Sequence, residues 1–349
     1  MKTRTWLRLT LGLLIAAIAG LCLLVILIDP FQIYHLASAY MPPIDNTTQV
    51  YSNAGIVRNY DYDSAIVGTS VTENFRPTYM DEKLGGRFIK LCTAAGTVYN
   101  HSLLLRLAFK THGIRRIVYG LDVYSLIGEV TKTGSAVPMY LYNDNPLDDC
   151  AYWLNRSVLG SFLPRCLRNW GQRQTDDIRD SMYCWAGKDR YGKVALYNAE
   201  FTPPESMQPA DRYFENAQAN LETNVLPYIR EHPETHFDFF FPPYSAAEWA
   251  TMESKGTLNA VLALRGLAYD RLSAFANVTV YDFAAREDWV TDLENYKDTT
   301  HYGQWINDAI VDCIAAGGNV VTSRGELDAA SEQLHAWADA QITAGGWIF

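Results

Sequence analysis

Three side chains have the types needed for nucleophilic acyl chemistry. Ser70 stands in the segment AIVGTSVTENF, and Asp298 and His301 stand in the segment DTTHYGQ near the other end of the chain. A serine hydroxyl is a weak nucleophile until a base takes its proton, and histidine is the usual base. The imidazole in turn needs an acceptor that fixes its tautomer, and an aspartate three residues earlier can fold back to supply one. Neither segment says much alone. Serine is a favoured helix N-cap, and an aspartate at a helix start caps equally well.

Those residues need a frame that brings them together. Short apolar runs at Ser64–Val67, Phe88–Leu91, Arg116–Leu121, Phe237–Phe241 and Val278–Phe283 lack polar alternation. That pattern suits strands buried on both faces. Helical stretches are expected at Asn100–His112, Ala210–Glu231, Asn259–Phe275, His301–Ala316 and Glu326–Ala340. Strand–helix alternation predicts an α/β fold with a mostly parallel five-stranded sheet between helical layers. Ser70 then follows the first strand, and Asp298 and His301 follow the last. In such sheets, sites form at the carboxyl edge. Glu73 and Asn74, about one turn beyond Ser70, either face substrate or cap. Tyr244 follows the fourth strand behind the stiff Pro242–Pro243 pair, where it can line a pocket or simply pack.

A serine after the first strand with DxxH after the last resembles the SGNH/GDSL hydrolase superfamily. More narrowly, the chain resembles its membrane-anchored DltD-like and polysaccharide O-acyltransferase-like branches. The matching segments, from about Asp61 to Ala316, are VGTSVTENF, CTAAGTVYN, IVYGLDVYS, FFFPPYS and DTTHYGQ. The resemblance implies a three-layer flavodoxin-like fold, with Ser70 as nucleophile and His301 and Asp298 as base and orienting acid. It also implies two oxyanion donors beyond Ser70. One is the Gly96 backbone N–H. The other is normally an asparagine, but Asp122 stands in its place. An ionised aspartate only accepts hydrogen bonds, so Asp122 departs from the pattern.

Composition narrows the partners. With a formal net charge of −10 and no basic run in its body, the chain is a poor match for nucleic acid. Lys2, Arg4 and Arg8 precede an uncharged stretch from Leu9 to Ile28. This is about the length that spans a bilayer, with the basic flank on the cytoplasmic side. A cleaved signal peptide is the competing reading. Leu21 before Cys22 argues against lipidation there. Cys150, Cys166 and Cys184 cluster, and a bridge between two of them or three reduced thiols are both open. No CxxC pattern occurs, and His112, His232, His236 and His335 lack metal-ligand spacing, so no metal or cofactor is expected.

The expected organisation is a cytoplasmic flank and anchor over 1–30 and an entry segment over 31–60, with Met41–Asn53 as linker. An SGNH-like domain over 61–325 follows, carrying an insertion at 129–209, then a C-terminal helix and tail over 326–349. The expected function is an extracytoplasmic serine esterase or acyltransferase acting on acyl or acetyl esters of cell-envelope glycans or polymers. Its partners would be the bilayer, the acyl-ester substrate and a membrane protein in acyl transfer. The alternative is an inactive SGNH-like surface module that binds glycan or a membrane partner.

Overall fold

The computed structural model describes residues 3–172, 177–187, 190–192 and 210–343. Parts of the expected insertion and most of the tail TAGGWIF lie outside the described residues. The chain divides into two compact units: residues 1–60 with 136–176, and residues 61–135 with 177–349.

The larger unit holds five strands: β1 (Ser64–Gly68), β2 (Phe88–Cys92), β3 (Arg116–Gly120), β4 (His236–Phe241) and β5 (Val278–Asp282). Their spatial order is β2-β1-β3-β4-β5 and every pairing is parallel. This is the doubly wound, flavodoxin-like order, and its switch point lies between β1 and β3. The register aligns Ser64 with both Phe88 and Arg116, so the carboxyl ends of β1, β2 and β3 finish level. β1 and β2 are buried along their whole length, as their continuous apolar runs predict. All five strands fall within a residue or two of the apolar runs.

Right-handed crossovers put the β1–β2 connection on one face and the next three on the other. The first is helix α3 (Pro77–Leu84) and the second is helix α4 (Val98–Thr111), once the N-terminal helices α1 (Thr3–Ile28) and α2 (Gln49–Asn59) are counted. Thr97 opens α4 with a capping box, its side chain and that of Asn100 satisfying each other's backbone N–H groups. The helix Gln304–Ala316 returns after β5 to pack against α3. Glycine at the left-handed position 317 ends it.

The smaller unit differs from expectation in one element. The linker assigned to Met41–Asn53 is interrupted at Gln49, where α2 begins. Asn53, Ala54, Ile56 and Val57 are fully buried there. A side chain at Gly55 would collide with the Phe31 carbonyl, 2.0 Å from its Cβ position. Small and amide side chains hid this helix, because its contact is made by backbone approach rather than by an apolar stripe. Besides α1 and α2, the described residues of this unit form a 3-10 turn at Met139–Leu141 and short helices at Cys150–Trp153, Val158–Phe162 and Leu163–Arg168. All six cysteines are unbridged.

Beneath the sheet surface, Asp238 of β4 has no exposed side-chain area. Its carboxylate accepts from Arg116 Nε at 2.6 Å, from the Tyr281 hydroxyl at 3.1 Å and from His236 Nε2 at 3.1 Å. Removing one member of a buried pair strands the other. Asp238→Ala is therefore expected to lower the unfolding free energy by about 3 kcal/mol, read by denaturant titration. A loss under about 1 kcal/mol would show that Arg116 finds water instead.

Candidate active site

The turn carrying Ser70 is shaped by Thr72. A Cβ on Gly68, at the end of β1, would lie 2.6 Å from Thr72 Cγ2, and a Cβ on Gly120, at the end of β3, would also lie 2.6 Å from it. Only glycine at both strand ends admits this methyl group. The Thr72 hydroxyl donates to the Thr69 carbonyl at 2.7 Å and closes the turn. Ser70–Thr72 forms a single 3-10 turn, and Ser70 is partly exposed at its start. The first N–H of such a turn has no acceptor within it, so the Ser70 N–H stays available to a ligand.

Asp298 and His301 lie on a tight loop closed by the Tyr296–Tyr302 bridge and by Lys297 N–H donating to the His301 carbonyl at 3.0 Å. His301 precedes the helix Gln304–Ala316 rather than opening it. Asp298 Oδ1 accepts from the backbone N–H groups of Thr300 at 2.9 Å and His301 at 2.8 Å. The loop is tied to the end of β4. Ser245 N–H and Oγ both donate to the Thr299 carbonyl, and the Thr299 hydroxyl donates to Glu248.

Ser70 Oγ lies 2.7 Å from His301 Nε2, and His301 Nδ1 lies 2.7 Å from Asp298 Oδ2. A carboxylate can only accept, so Nδ1 carries the ring proton and Nε2 is left to accept from Ser70. Burial opposes ionisation of Asp298, but hydrogen bonds from the His301 ring and from two backbone N–H groups outweigh it. They hold the carboxyl down at about 2. The arrangement can move a proton from a serine hydroxyl to a neutral imidazole while a fixed anion waits behind it.

Asp122 is saturated with donors. Its Oδ2 accepts from the Thr69 hydroxyl at 2.9 Å, and its Oδ1 accepts from the Tyr244 hydroxyl at 2.6 Å and the Tyr124 N–H at 2.9 Å. It braces the residue before Ser70 against the ends of β3 and β4. Burial, and then the charge of Asp122, push the Tyr244 phenol well above its usual range, so it serves as a permanent donor. Tyr244 is thus a buried brace rather than a substrate-facing ring. The Gly96 N–H donates to the Thr93 carbonyl at 2.9 Å, inside its own turn. Neither position offers a free donor in this geometry.

Glu73 and Asn74 are buried. The Glu73 carbonyl accepts from Lys90 Nζ at 2.8 Å, and its carboxylate charge acts on Lys90 and Cys92 beneath the turn. Asn74 Oδ1 accepts from the N–H groups of Trp185 and Ala186, both at 3.1 Å. Asn74 therefore holds the segment that carries Trp185. The indole meets the His301 ring edge-on, centroids 5.7 Å apart, and Lys297 Nζ sits 3.7 Å from its centroid. Sequence reasoning placed Ser245 beside Tyr244 at the sheet's active edge but missed Trp185, Thr69 and Glu248. Trp185 lies in a stretch without periodicity, and Thr69 and Glu248 were readable only as turn and helix residues. Among the described residues, no cluster of three His, Cys, Asp or Glu could hold a metal ion.

No family model matches the chain, and no curated protein matches it. Among solved structures, one from Streptococcus pneumonia, provisionally described as a platelet activating factor, is similar with a TM-score of 0.41 and 9% identity. The match covers 78% of this chain and 91% of that one.

Two outcomes check this geometry. Asp122→Ala leaves two buried hydroxyls and an N–H without their anion and is expected to cost about 3 kcal/mol. Asp122→Asn should cost less, because the Thr69 hydroxyl can turn and accept from the amide. Chemical denaturation gives the order. The second outcome concerns Lys90, which donates to the Glu73 and Asp180 carbonyls, both at 2.8 Å. Burial pushes its ammonium down to about 8 from 10.5. Between those values the unfolded chain binds a proton that the folded chain does not, so stability rises with pH there. The unfolding free energy of wild type relative to Lys90→Met should grow between pH 8 and pH 10, and a flat difference would refute the shift.

Proposed function

We propose that this chain is a serine esterase or acyltransferase of the SGNH type, held at a membrane by α1 and facing away from the cytoplasm. The continuous hydrogen-bond relay from Ser70 through His301 to Asp298 carries the reading. Three residues 231 positions apart in chain order at their extremes meet at hydrogen-bond distance on the edge where α/β sites form. A merely structural serine has no need of a base whose tautomer is fixed by an adjacent carboxylate.

In the proposed reaction Ser70 Oγ attacks an ester carbonyl and His301 Nε2 takes its proton. The tetrahedral oxyanion collapses, the acyl–oxygen bond breaks, and His301 returns the proton to the leaving alkoxide. Water, or a hydroxyl of an envelope polymer, then attacks the acyl-enzyme with His301 again as base. Asp298 stays ionised throughout and stabilises the imidazolium. The Ser70 N–H is the donor that the turn itself leaves for the oxyanion. Trp185 walls the imidazole from water on one side. The helix α1 is long and apolar enough to cross a membrane, which favours esters of envelope glycans or polymers over soluble ones. A membrane protein that delivers the acyl group fits the same reading.

One observation favours a second reading, an inactive surface module. Asp122 and Gly96 are both committed to internal hydrogen bonds, so the donors that the resemblance implies there are spent. A fluorophosphonate probe decides between them. Labelling of the full chain near neutral pH that disappears in Ser70→Ala supports the enzyme. With p-nitrophenyl acetate as substrate, Asp298→Asn should lose about 10⁴-fold in kcat because the tautomer is no longer held. Absence of labelling in correctly folded wild type would sink the catalytic reading.

A further inference from the structure

We infer that the segment Cys150–Trp170, with Tyr34 and Tyr40, is a collar that lies on the anionic phospholipid leaflet where α1 leaves the membrane. This rests on reading α1 as the membrane anchor. The apolar stretch of α1 ends at Ile28. At 1.5 Å per residue, its ~20 uncharged residues match the roughly 30 Å of hydrocarbon, which puts Ile28 and Asp29 at the headgroup boundary.

Side chains of the same unit grip that boundary. The Tyr40 hydroxyl donates to the carbonyls of Ile28 at 2.7 Å and Asp29 at 2.8 Å. His35 Nε2 lies 3.2 Å from the Ile26 carbonyl. Asp29 is fully buried, and its carboxylate accepts from the Tyr152 hydroxyl at 2.9 Å and the Tyr34 N–H at 2.7 Å. The helix end is therefore fixed to the unit, not hinged.

The residues next to these anchors are apolar and exposed. Trp170 stacks on Tyr40, with ring centroids 6.5 Å apart, and is 55% exposed. Trp153 Nε1 donates to the Tyr34 hydroxyl at 2.8 Å. Leu154 and Leu167, at 49% and 47% exposure, flank them in sequence. Helices Cys150–Trp153 and Leu163–Arg168 both pack against α1. Tyrosine and tryptophan belong at the membrane–water interface, where ring and polar tip are both satisfied.

Charge supplies the second argument. In a chain of formal charge −10, the run Cys150–Trp170 contains Arg156, Arg165 and Arg168 and no acidic residue. Arg165 pairs with Asp45 at 2.7 Å. Arg156 and Arg168 are exposed and have no ion-pair partner among the described residues. Exposed leucines and tryptophan interleaved with unpaired arginines match a lipid surface bearing phosphate anions.

The test places p-benzoylphenylalanine singly at Leu154, Leu167, Trp170 or Leu14 in the full chain. Each variant is reconstituted alone into nanodiscs of phosphatidylcholine and phosphatidylglycerol, with an alkyne tag on one lipid at a time. Irradiation should crosslink all four positions to lipid. At 154, 167 and 170 the tagged phosphatidylglycerol should be favoured severalfold, and Arg156→Glu with Arg168→Glu should abolish that preference without changing the yield at Leu14. Crosslinking at Leu14 with none at the other three positions would overturn the collar while leaving the span, and would assign the apolar face to a membrane protein beside α1. No crosslinking at Leu14 would overturn the span itself.

Discussion

The geometry of the site depends on how closely Thr72 packs against the ends of β1 and β3. Its methyl group occupies the space that side chains at residues 68 and 120 would fill. That contact fixes the switch point of the sheet and curls the chain into the turn that presents Ser70. Its hydroxyl bonds to the Thr69 carbonyl and to Cys92 Sγ, which joins the turn to β2 as well. Three strand ends thus define one serine position. A packed interior resists change at this scale, since even a methylene must be accommodated.

The electrostatics around Ser70 are built from carboxylates. Asp298, Asp122 and Glu248 all lie on the carboxyl edge, and each is given donors. Asp298 takes the imidazole and two backbone N–H groups, Asp122 takes two hydroxyls and an N–H, and Glu248 takes the Tyr124 and Thr299 hydroxyls. The anions differ in what they hold. Asp298 acts on the imidazole, Asp122 on the residue before Ser70, and Glu248 on the residue after Asp298. Two of the three are therefore braces, one for each half of the relay, and both reach back to the segment that follows β4 through Tyr244 and Glu248 itself.

Much of this was legible in the chain. The five apolar runs became five strands because both sheet faces are covered, so burial wrote itself into sequence as continuous hydrophobicity. That the side chains of Ser70, Asp298 and His301 meet could be anticipated from residue type and from order along the fold. What stayed hidden depends on distance between segments. Asp122 read as a departure from a donor because its role lies in accepting from Thr69 and Tyr244, which are 53 and 122 residues away. Trp185 gave no periodic signal, since it is held by one asparagine and not by a helix or strand. The helix Gln49–Asn59 was missed because Gly55 and the buried amides Gln49 and Asn53, residue types that usually mark loops, sit among its buried apolar residues.

An acceptor where a donor is expected changes what the site must do. In the proposed reaction, Asp122 would accept hydrogen bonds and not donate one to a tetrahedral oxyanion, and its oxygens are already occupied by Thr69, Tyr124 and Tyr244. Three donors are spent on holding that carboxylate, among them a phenol that burial keeps protonated. Thr69, Tyr124 and Tyr244 satisfy the Asp122 carboxylate, and on the proposed reading what would remain for an oxyanion is backbone. Backbone donors cannot be tuned by side-chain exchange, only by the position of the turn. Under the proposed mechanism the crowding at Thr72 then has a physical consequence: with Asp122 given over to bracing, oxyanion stabilisation would rest on how accurately the Ser70 turn is placed.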